Sequence, residues 1–156
     1  IGVLVALLIF SVTNKINTLC LLDRISLVAP IAATFIRLGN FMNSEIIGKP
    51  TNSNFGVVFL QVDKLPRHPT QIYEAIIYLI SFFILQKFHK SLRKPNCGKT
   101  FGLFLVLIFT SRFVIEFLKI DQANFEKNLF LNMGQFLSLP FIFIGIYLLF
   151  SQKHNT

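Results

Sequence analysis

From Met133 to Phe150 the chain runs eighteen residues without a charged side chain, and Leu, Ile and Phe fill most of the positions. As a helix rising 1.5 Å per residue, such a run covers about 27 Å, close to the thickness of a bilayer's hydrocarbon core. It is apolar around its whole circumference rather than along one stripe, which leaves it no face to offer to water. A buried helix of a soluble bundle is the competing reading. Composition weighs against it: charged residues make up only 14% of the 156, against about 25% in soluble domains. Nineteen Phe point the same way, since Phe enters hydrocarbon favourably.

Four further apolar stretches can be drawn. Ile1 to Val12 opens the chain in the middle of a run, without an initiating Met or a charged leader, so we expect a chain lacking its N-terminal part. Leu19 to Leu38 is interrupted by Asp23, Arg24 and Pro30. Tyr73 to Phe88 is short for a span unless Gln86 and Lys87 snorkel. Phe101 to Ile120 is long enough but carries Arg112 and Glu116. The expected fold is therefore all-α: one membrane-embedded domain over residues 1–156, a polytopic transmembrane helix bundle. It would have about four full spans plus a truncated first one, and an extracytoplasmic or interfacial segment at 39–72.

Loop charge orients this bundle. Lys87, Lys90, Arg93, Lys94 and Lys99 have no acidic residue among them, whereas Lys119 and Lys127 are balanced by Asp121 and Glu126. The positive-inside rule puts the first loop and the C-terminus in the cytoplasm, and residues 39–71 and the 121–131 loop outside. The net charge of +8 is spread between apolar runs rather than gathered on one face, so nucleic acid is not an expected partner. Cys20 and Cys97 have no ligand-like spacing and read as inert packing thiols.

Polar residues cluster just after the second run, in Arg37-Leu-Gly-Asn40-Phe-Met-Asn43-Ser-Glu45-Ile-Ile-Gly48. Arg37 offers a planar, permanently charged fork that suits a phosphate. Asn40 and Asn43 add neutral donors, and Glu45 can orient the arginine or carry a proton. Gly39, Gly48 and Pro50 suit an irregular backbone that wraps a ligand closely. The same residues equally describe a capped interfacial turn facing water, and the residues alone leave both readings open. Arg112 and Glu116, four apart on one helix face, can pair and point into a bundle interior. Intramembrane charges cost a few kcal/mol each, so they read as a site before they read as decoration. His68, between Arg67 and Pro69, reads as structural.

The Arg37 segment closely resembles the signature of the prolipoprotein diacylglyceryl transferase family, Gly-Arg-x-Gly-Asn-Phe-x-Asn-x-Glu-x-x-Gly. Every defined position matches except the first, where Ile36 stands for Gly. Asp23 and Ala29-Pro30 fall where the family has an aspartate and an alanine–proline pair. Residues Arg67 to Ala75 resemble its Arg-His-Pro-x-Gln-x-Tyr-Glu segment, and Arg112 with Glu116 resemble its arginine and glutamate on a late helix. The resemblance implies transfer of the diacylglyceryl group of phosphatidylglycerol to the lipobox cysteine thiol of a prolipoprotein. A thioether would form and glycerol phosphate leave, in the bacterial cytoplasmic membrane, without metal or organic cofactor.

On that resemblance Arg37, Glu45, Arg112 and Glu116 are the expected catalytic set, with Glu45 and Glu116 fixing the arginines. Arg37, Asn40, Asn43, Gly48, Tyr73 and Arg112 would bind substrate, and Asp23, His68 and Gln71 would support them. The family's His-Gly-Gly segment, whose histidine is a candidate general base, would precede Ile1. An anion transporter and a non-catalytic phospholipid-binding membrane protein are the rival classes. A transporter predicts paired broken helices in two related halves, and no internal repeat is present.

Overall fold

A computed structural model describes residues 2–92, 97–120 and 132–151. The loop residues Arg93 and Lys94, the 121–131 loop and the terminal residues 152–156 lie outside the described residues. Among the described residues there are six helices: α1 Gly2–Thr13, α2 Thr18–Ser26, α3 Ala29–Met42, α4 Thr70–Ser91, α5 Lys99–Glu116 and α6 Met133–Phe150. Between α3 and α4 lies a small antiparallel hairpin, β1 Val57–Val58 paired with β2 Pro66–Arg67.

The helices follow the apolar runs, with two differences. Leu19 to Leu38 is broken, because Pro30 in the first turn of α3 cannot continue α2. Helices α2 and α3 meet at 47°. Among the described residues, fewer helices pass a test of length and apolar composition than the four full spans expected. Two helices, α4 and α6, are long and apolar enough to cross a membrane, or three if α2 and α3 together make one bent span. Helix α5 matches α6 in length but contains Lys99, Arg112 and Glu116, and those charges separate it from a plain lipid-facing span.

Helices α5 and α6 lie antiparallel and very close. A Cβ on Gly102 would stand 2.8 Å from the Gly145 carbonyl oxygen, and one on Gly145 would stand 2.8 Å from the Gly102 oxygen. Small residues let backbones approach in this way where the hydrophobic effect supplies no drive between helices. Phe109 stacks on Phe141 midway, with ring centroids 4.4 Å apart. Asn132 and Gln135 form a capping box at the start of α6, which satisfies two donors that the helix leaves open. Helix α3 packs on α4, where the Thr34 hydroxyl reaches the Pro30 and Ala75 carbonyls.

At the far end of α4 the carboxylate of Asp23 caps another helix. Oδ2 accepts from Gly98 N–H and Oδ1 from Phe101 N–H, each at 2.7 Å. Gly98, at φ +102°, adopts the left-handed conformation that glycine enters at little cost. This capping brings α2 against the start of α5. The two cysteines, read from sequence as separate packing thiols, are here a Cys20–Cys97 disulfide closing 77 residues. Spacing along the chain could not reveal the pair, because the partners meet only once α5 has docked on α2.

Candidate active site

Four segments converge at the other end of α4. The last turns of α3 bring Arg37 and Asn40, and the following turn brings Glu45 and Ile46. The first turns of α4 bring Gln71 and Glu74, and the end of α5 with the residues just after it brings Arg112, Glu116 and Lys119. The turn after α3 is tight. Ser44 and Ile46 have φ of 57° and 55°, an unusual conformation for a β-branched residue. It is held from several sides: Glu45 N–H donates to the Asn40 carbonyl at 2.9 Å, and the Thr70 hydroxyl donates to the Ile46 carbonyl at 3.0 Å. Gln71 donates its amide to the Glu45 carbonyl. Strain of this kind persists only where the surroundings over-determine it.

Glu74, wholly buried, organises the charges. Its Oε2 lies 2.8 Å from Arg37 Nε, an ion pair without an aligned hydrogen bond, and its Oε1 accepts from Lys119 Nζ at 2.9 Å. Lys119 Nζ also lies 3.4 Å from Glu116 Oε2. A buried carboxylate between two cations offsets much of its desolvation, as a lone one could not. Asn40 links Arg37 to Glu45, accepting from Arg37 Nη1 at 3.4 Å and donating to Glu45 Oε2 at 2.7 Å. The carboxylate on Arg37 is therefore Glu74, and Glu45 reaches it only through Asn40. Glu116 pairs with Lys119 rather than with Arg112, contrary to the i, i+4 pairing expected from spacing.

A cavity of about 250 Å³ opens beside this network, lined by Arg37, Ile46, Arg112, Glu116, Lys119 and the start of α6. Arg112 Nε is buried and has no hydrogen-bond partner among the described residues. Of the charged residues that line the cavity, three are cations, Arg37, Arg112 and Lys119, and one is a carboxylate, Glu116. An arrangement like this suits a single anion.

Other sequence candidates lie around the cavity rather than on its described wall. Asn43 closes α3 and is exposed. Gly48 has a packing role: a Cβ there would stand 2.5 Å from the His68 carbonyl oxygen. Its N–H donates to that same oxygen at 3.0 Å. Tyr73 hydroxyl meets His68 Nδ1 at 3.4 Å. Asp23 belongs to the opposite end of α4. Arg67 hydrogen-bonds Asp63 and the Gly48 carbonyl, which fastens the hairpin to the site. The Asp63 carboxyl is held below its ordinary range chiefly by that hydrogen bond from Arg67. Lys49 closes the other side: its N–H donates to the Leu118 carbonyl at 2.7 Å, and its Nζ to that of Phe117 at 3.1 Å.

Sequence reading gave no role to Glu74 or Lys119. Lys119 reads from the sequence as a loop charge, yet it is 3% exposed. Its place three residues after Glu116 was the available signal. Glu74 sits within the matched Arg67 to Ala75 segment, the one acid in the 22 residues of α4.

Fold and site together define a helical membrane protein with a cationic pocket at the ends of its helices. The family model for prolipoprotein diacylglyceryl transferase matches residues 1–151, and the chain belongs to that family. Among curated relatives, a phosphatidylglycerol–prolipoprotein diacylglyceryl transferase of Bacteroides fragilis is 48% identical over 151 residues, covering 96% of this chain and 54% of the relative. One from Tolumonas auensis is 45% identical over 158 residues, covering all of this chain and 61% of the relative. One from Chloroherpeton thalassium is 41% identical, with 97% and 58% covered. The chain thus spans between half and two thirds of the length of these relatives.

Proposed function

We propose that this chain holds the lipid headgroup in a transferase that moves the diacylglyceryl group of phosphatidylglycerol onto the lipobox cysteine of a prolipoprotein. The observation that carries the proposal is the cavity whose wall Arg112 shares with Arg37, while Arg112 Nε has no hydrogen-bond partner among the described residues. Two arginines on one cavity wall suit the oxygens of a phosphate.

In the proposed step the cysteine sulfur forms a C–S bond to the glycerol carbon that carries the phosphate. The bond from that carbon to the phosphate oxygen breaks, and glycerol phosphate leaves with the electron pair. The thiol proton must be lost first, because the thiolate is the nucleophile. The family's His-Gly-Gly histidine is the expected acceptor. Arg37, set by Glu74 and Asn40, and Arg112 hold the phosphate and stabilise its growing charge. Asn40 and Asn43 orient the glycerol, Glu45 steadies Asn40, and Glu116 faces the cavity as an acceptor for headgroup hydroxyls. Two membrane-bound reactants held in line gain further from proximity. The setting is the bacterial cytoplasmic membrane, with residues 39–72 outside and the C-terminus in the cytoplasm.

The test is incubation of the full-length gene product with phosphatidylglycerol vesicles and a lipobox peptide, followed by mass spectrometry. A thioether-linked diacylglyceryl peptide is expected. Phospholipid binding without product would make the chain a scaffold, and anion flux without product a transporter.

A further inference from the structure

Three glycines bring α5 and α6 together, and they do different things. At Gly102 and Gly145 an added Cβ meets the opposing backbone oxygen at 2.8 Å. Backbone cannot yield there unless the helices part. At Gly134 the three nearest atoms all belong to the Glu116 carboxylate, with Cδ at 2.6, Oε1 at 2.7 and Oε2 at 2.9 Å. That group ends a flexible side chain and can swing away while the helices stay in place.

We propose that Gly134 is a positioning residue: the space it leaves in the first turn of α6 seats Glu116 away from Arg112, and so keeps the Arg112 guanidinium open to an anion. Glu116 and Arg112 are four apart on one helix, the spacing at which such a pair ordinarily closes. They do not close. Glu116 lies instead against Gly134 and 3.4 Å from Lys119 Nζ, while Arg112 Nε has no partner among the described residues. Lys119 makes the other wall of the seat and is itself held by Glu74 at 2.9 Å. Arg112, Glu116, Lys119 and Gly134 all line the same cavity. Without the seat, Glu116 would fall back on Arg112 and cancel the charge meant for the ligand. The helix that looks most like a plain membrane span thus helps to build the anion site.

The catalytic consequence rests on the transferase reading, and the seat itself does not. Gly134→Ala in the full-length gene product is expected to lower kcat/KM by roughly a hundredfold, mainly through KM for phosphatidylglycerol. Adding Glu116→Asp shortens the acid by one carbon, clears the Cβ and should recover roughly tenfold of that loss. Gly145→Ala is the control for loosened packing: it should lower thermal stability while the folded fraction keeps its kcat/KM. Wild-type kcat/KM in Gly134→Ala would overturn the proposal. So would an equal loss per folded molecule in Gly145→Ala, or a double variant with no recovery. A second readout does not depend on turnover. Phenylglyoxal modification of Arg112, followed by peptide mass, should fall in Gly134→Ala and return in the double variant. Unchanged modification overturns the seat even if the enzyme is active. A wild type that transfers no lipid sinks the transferase reading and leaves the phenylglyoxal result to decide the seat.

Discussion

Helix α4 joins two polar regions about 33 Å apart along its length, and both bury charge, but only one finishes its pairing. At the Ser91 end, Asp23 spends each carboxylate oxygen on a backbone N–H of the α5 start, and the Cys20–Cys97 bond closes over the junction. Nearby, His89 Nδ1 meets the Thr100 hydroxyl at 2.9 Å. At the Thr70 end, Glu74 serves two cations, yet Arg112 Nε has no partner among the described residues, and Arg112 lines a cavity. A satisfied buried charge is fully explained by the fold. A charged residue that lines an open cavity, with a donor unpaired among the described residues, is a candidate to hold a ligand.

The sharpest way to break this contrast is Arg112→Lys. Lysine keeps the charge and loses the bidentate fork. Transferase turnover should fall by about a hundred- to a thousandfold, the scale of losing one aimed donor, with little change in thermal unfolding. Full activity would mean that Arg112 does not grip phosphate. Asp23→Ala is the opposite case. It removes a helix cap, so stability should drop by about 1–2 kcal/mol, while kcat of the folded protein stays near wild type. A selective loss of turnover in that variant would show that the two ends are coupled.

The smallest effect concerns Asp63 in the hairpin loop. Its carboxyl titrates below the ordinary value because Arg67 hydrogen-bonds the ionised form. Its contribution is therefore complete above the unfolded value of about 3.9 and is lost as pH falls through the lower folded value. Protection factors of the hairpin amides, taken against the intrinsic exchange rate at each pH, should be unchanged from neutral pH to about pH 4 and fall below it. Asp63→Asn should show the lower protection at every pH.

Much of the fold was legible. The run from Met133 to Phe150 coincides with α6 to the residue, since a charge-free apolar stretch beside a capping Asn has few other forms to take. The Tyr73 to Phe88 run is too short, because α4 extends through Thr70 to Ile72 at one end and His89 to Ser91 at the other. Polar residues at helix ends carry no apolar signal, so hydropathy clips them. In the site, Arg37, Arg112 and Glu116 were legible as charges set in or beside apolar runs. Gly134 was invisible, because a glycine's role here consists of the atoms facing it.

What the sequence determined by itself was local: which stretches seek hydrocarbon, and which residues bear charge at their edges. Length and composition within a run are enough for that, since the cost of wetting an apolar helix needs no partner. The tertiary structure alone decided the pairings. Glu74 meets Arg37 across 37 positions and Lys119 across 45, and Glu116 turns from its own helix neighbour toward Gly134 and Lys119. Electrostatic pairing depends on distance and desolvation, and both are set only when separate helices pack.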